Sequence, residues 1–455
     1  MHQKSGQPER IDEGRGKAES DAERDEARLA RREAEGLGRE ALLTQALARG
    51  NLVKAWKRVK ANRGSAGVDG LTVQETGGYL KAHWPRINEQ LQSGSYRPQP
   101  VRRVRIPKSG GGLRELWLPT VTDRLIQQAL LQVMQARIDP AFSAHSYGFR
   151  PGRRAHDAVL QAQRRVQEGW QVVVDVDLEK FFDRVNHDVL MDRLSKKFAH
   201  QGIEGKAVLR LIRRYLEAGI LDGGVVIERY EGTPQGGPLS PLLANVLLDE
   251  VDRELERRGH RFVRYADDCN VYLRSHKAGE RVLAGLCKLY DRLHLKVNEA
   301  KSAVARATGR KFLGYSLWVA PGRVVMRAVA RKALDTYKQR IRKTTRRSNG
   351  RSLSEVAEQL RRYIPGWKAY FQLAQTPGTF RKLNEWLRHR LRAMQLKHWW
   401  RGPTIYRELR KLGANPDQAA RVAGNGRRWW HNSRLELNRI MPIAYFDRLG
   451  VPRLS

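Results

Sequence analysis

Between residues 171 and 178 the chain reads Gln-Val-Val-Val-Asp-Val-Asp-Leu, too apolar a run for an exposed sheet edge. This pattern predicts a strand buried on both faces. Strand side chains alternate, so Asp175 and Asp177 point the same way. Buried aspartates need a partner, either a cation or a basic side chain in an ordinary salt bridge. Further on, Phe262 to Leu273 places two short runs of β-formers on either side of Ala266-Asp267-Asp268. That predicts a hairpin with Asp267 and Asp268 at its tip. Adjacent carboxylates repel unless a positive group lies between them, so the tip is either a polar turn or a divalent-cation site.

The remaining patterns frame these two stretches. Leu43, Leu47, Leu52, Ala55 and Val59 keep helical spacing with an interruption at Gly50, which predicts two helices. The Gly64 to Gly70 loop lacks the lysine and spacing of a phosphate-binding P-loop. Two β-like runs, Val101 to Pro107 and Leu113 to Pro119, flank a Gly-rich loop and form a hairpin with Lys108 at its base and Arg114 on its return strand. Those cations suit a triphosphate, or they are simply solvated. Asp123 to Ile138 reads as an amphipathic helix, and Ser146 to Arg154 as a turn-rich basic loop. Lys180-Phe181-Phe182-Asp183 opens a helix that continues through Leu194. Gly232 to Pro241 is a tight loop leading into the apolar helix Leu242 to Val251, and its small residues let a ligand or base pair approach the main chain. A helix over Glu280 to Leu293 precedes a short extended piece ending at Lys301. Phe312 to Leu317 and Arg323 to Val329 pair around Pro321-Gly322.

Past residue 330 the texture changes to basic helices with aromatic stripes, broken or kinked at Pro365-Gly366. Trp399-Trp400 and Trp429-Trp430 lie among basic residues, where indoles either stack on bases or close a small core. The charge follows this change of texture. The net charge of +38 divides into −2 over residues 1–40, +13 over 41–300 and +27 over 301–455. A large polyanion is therefore the expected partner, nucleic acid before an anionic membrane surface, and most of the affinity lies in the last third. Residues 1–40 have too few large apolar side chains to fold alone and predict a charged, disordered arm. With Cys269 and Cys287 the only cysteines, neither a disulfide framework nor a zinc site is supported, so any metal must be held by oxygen. No apolar run suits a membrane span and the N-terminus lacks a signal-peptide core, so the expectation is a soluble cytoplasmic protein, associated with the nucleoid and not with a membrane.

Taken in order, these segments carry a resemblance. Tyr265-Ala266-Asp267-Asp268 resembles the signature of reverse transcriptases, and Asp177 followed by Phe182 resembles their first catalytic motif. Gln235-Gly236-Gly237-Pro238-Leu239-Ser240-Pro241, Ser146-Tyr147-Gly148-Phe149-Arg150-Pro151 and Phe312-Leu313-Gly314-Tyr315 are similar to the group II intron reverse transcriptase/maturase family in particular. The resemblance implies an α+β right-hand polymerase, with fingers and palm over 41–320, followed by an α-helical thumb or maturase domain over 321–400 and a basic, DNA-contacting tail over 401–455. It implies a metal-binding triad of Asp177, Asp267 and Asp268 holding two Mg²⁺, with Asp175 the alternative for the first position. Phe182 would be the steric gate against a ribonucleotide 2′-hydroxyl. Lys108 and Arg114 would contact the triphosphate, Gln235 and Gly236 the sugar and base pair, and Lys301 the leaving pyrophosphate. Phe312 to Tyr315 would grip the primer end.

The implied partners are the host group II intron RNA, an RNA template with its DNA primer, target DNA and deoxynucleoside triphosphates, with a homodimer also allowed. Some relatives end in a metal-dependent HNH-type endonuclease that includes cysteine pairs, and no cysteine follows Cys287. The expectation is a chain that primes from an existing end, such as a replication-fork strand. Two further readings stand beside the splicing polymerase. One is a domesticated relative in defence or diversity generation without a splicing role. The other is a non-catalytic RNA-binding splicing factor, against which the intact acidic triad argues.

Overall fold

The computed structural model describes residues 41–454 apart from 108–111, 223–224, 235, 349 and 435, and without the side chain of Arg114. The arm expected at 1–40 lies outside the described residues. In chain order the elements begin with helices α1 (Leu42–Leu47), α2 (Arg49–Ala61) and α3 (Val73–Gln92), strands β1 (Val101–Pro107) and β2 (Leu113–Leu118), and helices α4 (Val121–Ile138) and α5 (Ala155–Gln167). Strand β3 (Val172–Val176), helices α6 (His187–His200) and α7 (Lys206–Glu217), strands β4 (Ile220–Asp222) and β5 (Val225–Ile227) and helix α8 (Ser240–Arg257) follow. Next come β6 (Arg261–Tyr265), β7 (Asp268–Leu273), α9 (His276–Arg292), β8 (Ala303–Arg306), β9 (Lys311–Phe312), β10 (Tyr315–Ala320) and β11 (Val324–Val329). The chain ends in helices α10 (Arg331–Thr344), α11 (Leu353–Tyr370), α12 (Pro377–Trp399), α13 (Gly402–Lys411), α14 (Pro416–Gly424), α15 (Trp429–Asn432), α16 (Glu436–Ile440) and α17 (Ile443–Arg448).

Two compact units share these elements. The first takes the described parts of Met1–Pro107, Gly112–Phe142 and Lys180–Leu247. Its sheet has the order β2-β1-β4-β5, with β1 antiparallel to β2 and parallel to β4. Ala55 of α2 packs on Leu125 and Ala129 of α4, while Val59, Val73 and Val121 close a second small core. The break between the first two helices falls at Ala48, whose ψ of 137° is extended, and Gly50 lies inside α2. The side chain of Asn51 explains the shift. Its amide donates to the carbonyls of Ala46 at 2.7 Å and Ala129 at 3.0 Å, satisfying an orphaned helix-end acceptor and pinning the junction to α4.

The second unit takes Ser143–Glu179 and Leu248–Ser455. Its four-stranded sheet has the order β6-β7-β3-β8 and is antiparallel throughout, with α5 packed on β6 and α9 on β3. A three-stranded sheet, β11-β10-β9, follows. One hydrophobic cluster joins Ala158 and Val159 of α5 and Val173 of β3 to Tyr315, Tyr337, Leu360, Leu387, Leu391, Phe446 and Leu454. The basic helices past residue 330 thus share a core with the sheet. Among the described residues no helix is long and apolar enough to cross a membrane.

Helix α11 continues through Pro365, where the sequence pattern predicts a break or kink. The apolar stripe keeps its spacing across the proline, with Leu353, Val356, Leu360 and Ile364 buried before it and Trp367 packed on Tyr337 at 4.5 Å after it. A mid-helix proline costs about 3 kcal/mol and each large buried side chain contributes about 1.5–3 kcal/mol, so the stripe prevails. Pro365 itself is exposed. Pro365→Ala is therefore expected to restore a backbone hydrogen bond and stabilise the protein by about 2 kcal/mol, read as a raised urea midpoint. A lowered midpoint would refute this account of the helix.

Candidate active site

Strands β3 and β7 pair from Val172↔Leu273 to Val176↔Cys269. Asp177 follows the end of β3 directly, and Asp268 precedes Cys269 at the start of β7. On the other side, Tyr265 of β6 pairs with Asp268, so the turn between the strands is Ala266-Asp267. Asp267 alone is at the hairpin tip, and Asp268 opens the return strand, a correction to the expectation of two tip carboxylates. The cause is Ala266, whose φ of 58° closes the ladder in a two-residue turn. Beyond Val176 the first carboxylate strand is clamped by loop 296–302. Asn298 donates to the carbonyl of Asp177 at 2.8 Å, and the Asp177 N–H donates to Ser302 Oγ at 3.0 Å.

Asp175, Asp177, Asp267 and Asp268 line one open cleft of about 640 Å³ together with Lys301, Arg310 and Lys311. Burial, then the neighbouring charges of Asp175 and Asp267, push the Asp268 carboxyl up to about 7. Burial likewise raises Asp175, against the pull of Arg310. Arg310 grips Asp175 Oδ2 with Nε at 2.8 Å and Nη2 at 2.6 Å, and Nη2 also donates to the carbonyl of Lys301 at 2.7 Å. Lys301 Nζ lies 3.1 Å from Asp177 Oδ2. That oxygen is buried and accepts no hydrogen bond among the described residues, so the contact is an ion pair without hydrogen-bond geometry.

Asp175 of β3 and Asp177, just past its end, are therefore unlike. Asp175 is 16% exposed and committed to arginine, whereas Asp177 is 38% exposed and faces an ammonium. An orphaned carboxylate oxygen and a set of mutually repelling carboxylates fit a hard divalent cation. Among the described residues no three His, Cys, Asp or Glu side chains stand at the spacing of a ready-made metal cage. The carboxylates converge on one cleft without being closed around an ion.

Phe182 and Gly236 belong to the first unit. Phe182 lies in a 3₁₀ turn, half-buried, its ring edge-on to Phe181 at 5.1 Å. Its carbonyl accepts from Thr233 N–H at 2.7 Å, which folds the Gly232 to Pro241 loop against that turn. Gly236 has φ 137°, and a Cβ there would lie 2.9 Å from the carbonyl oxygen of Trp117 on β2. Phe182 and Gly236 thus share one loop cluster in that unit. Lys108 and Gln235 lie outside the described residues, and of Arg114 the backbone pairs with Ile106. A separate open cleft of about 850 Å³ is lined by Lys60, Arg63, Lys81 and the Gly64 to Ala66 loop, with no acidic lining residue among the described residues.

Sequence patterning missed Arg310, in the bend before β9, and Lys311, at the start of β9, both far in sequence from either carboxylate strand. It also left open what the Ser146 to Arg154 loop does. That loop pairs with β6 as a parallel bridge, Tyr147 donating to the carbonyl of Arg264 and Arg264 to that of His145, each at 2.9 Å. Two of its arginines bond the loop's own main chain, while Arg154 is exposed. Arg150 donates to the carbonyls of Ser143 and Ser146, and Arg153 to those of Ala144 and Ser146.

Residues 106–317 match the family described as reverse transcriptase (RNA-dependent DNA polymerase), and residues 334–413 match the group II intron maturase-specific domain. Protein YkfC of Escherichia coli K12 is 30% identical over 291 residues, 55% of this chain and 75% of that protein. The group II intron-encoded protein LtrA of Lactococcus lactis subsp. cremoris is 36% identical over 200 residues, 44% of this chain and 32% of LtrA. The chain belongs to the group II intron reverse transcriptase/maturase family. A solved chain of a partial Cas6-RT-Cas1–Cas2 complex aligns with 25% identity over 56% of this chain and 43% of that one, at a TM-score of 0.36.

In a reverse transcriptase of this family the chemistry is RNA-directed DNA polymerisation, and all four cleft carboxylates fall inside the matched polymerase segment. The maturase-specific segment covers α10 to α13. The match spans about a third of LtrA, so the activities of that whole protein do not transfer by alignment alone.

The carboxylate turn has little room to move. A Cβ on Gly148 would lie 2.2 Å from the backbone nitrogen of Ala266 and 2.9 Å from the carbonyl carbon of Tyr265. Gly148→Ala must therefore displace the main chain that carries Asp267. A displacement of about 1 Å at a reacting centre costs on the order of a hundredfold in rate. The variant is expected to lose that much primer-extension kcat while its circular dichroism stays native, and a folded variant with wild-type kcat would refute the contact.

Proposed function

We propose that this reverse transcriptase uses Asp177, Asp267 and Asp268 as its metal ligands, copies RNA into DNA from a primer 3′-hydroxyl, and binds its host intron RNA to assist splicing and mobility into target DNA. The observation that carries the reading is the convergence of these three carboxylates, from the end of β3, the β6–β7 turn and the start of β7, on one open cleft within the matched polymerase segment. Asp177 is favoured over Asp175 because Arg310 already occupies Asp175 with two donors. Two Mg²⁺ held there would supply Lewis acidity for activating the 3′-hydroxyl and neutralising the triphosphate. In the transfer, the primer 3′-oxygen bonds the α-phosphorus of the deoxynucleotide, its proton is lost, and the bond to pyrophosphate breaks.

The protein's own part is placement and charge. The register of β3 with β7 brings Asp177, just past Val176, and Asp268, just before Cys269, to the same end of the sheet, and the clamp from Asn298 and Ser302 keeps Asp177 from swinging away. Lys301, which lines the cleft, would pair with the departing pyrophosphate. Lys108 and Arg114 would meet the triphosphate, Gln235 and Gly236 the sugar and base pair. The ring of Phe182, five residues after Asp177 in the chain, would exclude a 2′-hydroxyl. The splicing role rests on the maturase-specific segment and on the net charge of +27 past residue 300.

Primer extension on poly(rA)/oligo(dT) with Mg²⁺ tests the polymerase. A folded, RNA-binding preparation without incorporation would sink it. Asp267→Ala should lower extension by about a thousandfold or more while RNA affinity stays within about twofold, because it removes a metal ligand and not a phosphate contact. A parallel fall in RNA binding counts against that division of labour. Phe182→Ala should raise the ratio of ribonucleotide to deoxynucleotide incorporation at least about tenfold, and an unchanged ratio removes Phe182 from the gate.

A further inference from the structure

Arg264, one residue before the end of β6, is fully buried, and so is Asp252 on α8. Arg264 Nε donates to Asp252 Oδ1 at 2.7 Å and Nη2 to Oδ2 at 2.5 Å, a two-pronged fork. Its Nη1 donates at 2.9 Å to the carbonyl oxygen of Ala266. Ala266 is the turn residue with φ 58°, a left-handed conformation that an L side chain rarely adopts unless its surroundings impose it. The backbone of Arg264 is fixed in turn by its two main-chain bonds with His145 and Tyr147. A chain of direct contacts therefore runs from a buried helical carboxylate, through one guanidinium, to the peptide between Ala266 and Asp267.

Stability does not account for this pair. Replacing a buried ion pair by apolar residues of similar volume is often neutral or stabilising, so the sheet core has no need of it. What an apolar pair cannot supply is a donor aimed at the Ala266 carbonyl. What a lysine cannot supply is a rigid planar fork that holds Asp252 and that carbonyl together. We infer that Arg264, anchored by Asp252, is a positioning residue for the catalytic turn. It locks Ala266 in its left-handed conformation and so sets where Asp267 and Asp268 stand with respect to Asp177. This rests on the polymerase reading above, because the turn is worth holding only if its carboxylates act together.

The test compares wild type, the double variant Arg264→Met/Asp252→Leu, and Arg264→Lys. The double variant removes both buried charges at similar volume and should keep a wild-type melting midpoint. Its primer-extension kcat should fall about a hundredfold, as misplaced reacting groups do. Template–primer Kd and nucleotide KM should stay within about twofold, a split that generalised loosening would not produce. Mn²⁺ binding, titrated by electron paramagnetic resonance without nucleic acid or nucleotide, should weaken about tenfold, and Arg264→Lys should fall between the other two in both readouts. A folded double variant with wild-type kcat and Mn²⁺ affinity overturns the inference. If the double variant does not fold, Arg264→Lys decides. Wild-type kcat and Mn²⁺ affinity in that variant overturn the positioning role, and a lowered kcat at unchanged Kd supports it. An inactive wild type defeats the polymerase reading instead, and the Mn²⁺ comparison still settles the strut.

Discussion

Like charge crowded at one end of a sheet is the constraint on which the second unit turns. Asp175, Asp177, Asp267 and Asp268 arrive there from two adjacent strands, and at an effective dielectric near 20 two such charges about 4 Å apart repel by on the order of 4 kcal/mol. Asp268 registers the crowding, pushed up to about 7 by burial and its neighbours. Nothing in a β-ladder holds like charges together on its own account, so the arrangement has to be imposed from outside the two strands. Loop 296–302 clamps Asp177, Arg310 neutralises Asp175, and Gly148 abuts the turn. The cations brought to the cleft do not exhaust its negative charge, and that surplus is what an incoming metal would meet.

The carboxylates were legible in the sequence because their signals are local. An apolar run with aspartates two apart fixes their common face through the two-residue strand period, and β-formers around Asp267-Asp268 fix a hairpin. Assignment of the first aspartate was not legible. The choice between Asp175 and Asp177 depends on Arg310, 135 residues away, and no periodicity connects them. Arg264 did carry a local signal. A charged residue between Val263 and Tyr265, in the apolar part of β6, requires a buried partner, although the pattern does not say that Asp252 supplies it.

Helix boundaries failed for a related reason. Gly50 and Pro365 are both poor helix formers, and both lie inside helices. In each case side chains distant in sequence decide the outcome: Asn51 bonding across to Ala129, and the stripe of α11 packing through Trp367 on Tyr337. Propensity is a weak prior of about 1–3 kcal/mol at such positions, and a buried stripe exceeds it. The expectation of a break or kink at Pro365 weighs that local penalty and not the continuity of spacing on either side of it.

A chain segment with 35 basic and eight acidic residues past position 300 must fold without enough carboxylates to pair its arginines. Its buried arginines therefore draw on main-chain acceptors as well, even where, as at Arg388 beside Asp447, a carboxylate is within reach. Arg388, 1% exposed, donates to the carbonyls of Val451 at 3.3 Å and Pro452 at 3.1 Å, and Arg392 donates to that of Met441 at 2.9 Å, so α12 holds the C-terminal segment by its acceptors. Indoles take a further share of the charge. Arg342 and Arg390 lie over Trp386, and Lys397 lies 3.4 Å from the ring centre of Trp400. Neither device cancels charge, because a carbonyl and a π-face stabilise a cation while leaving it a cation. The segment can thus bury a core and still carry nearly all of its +27 net charge, the combination that binding a polyphosphate requires.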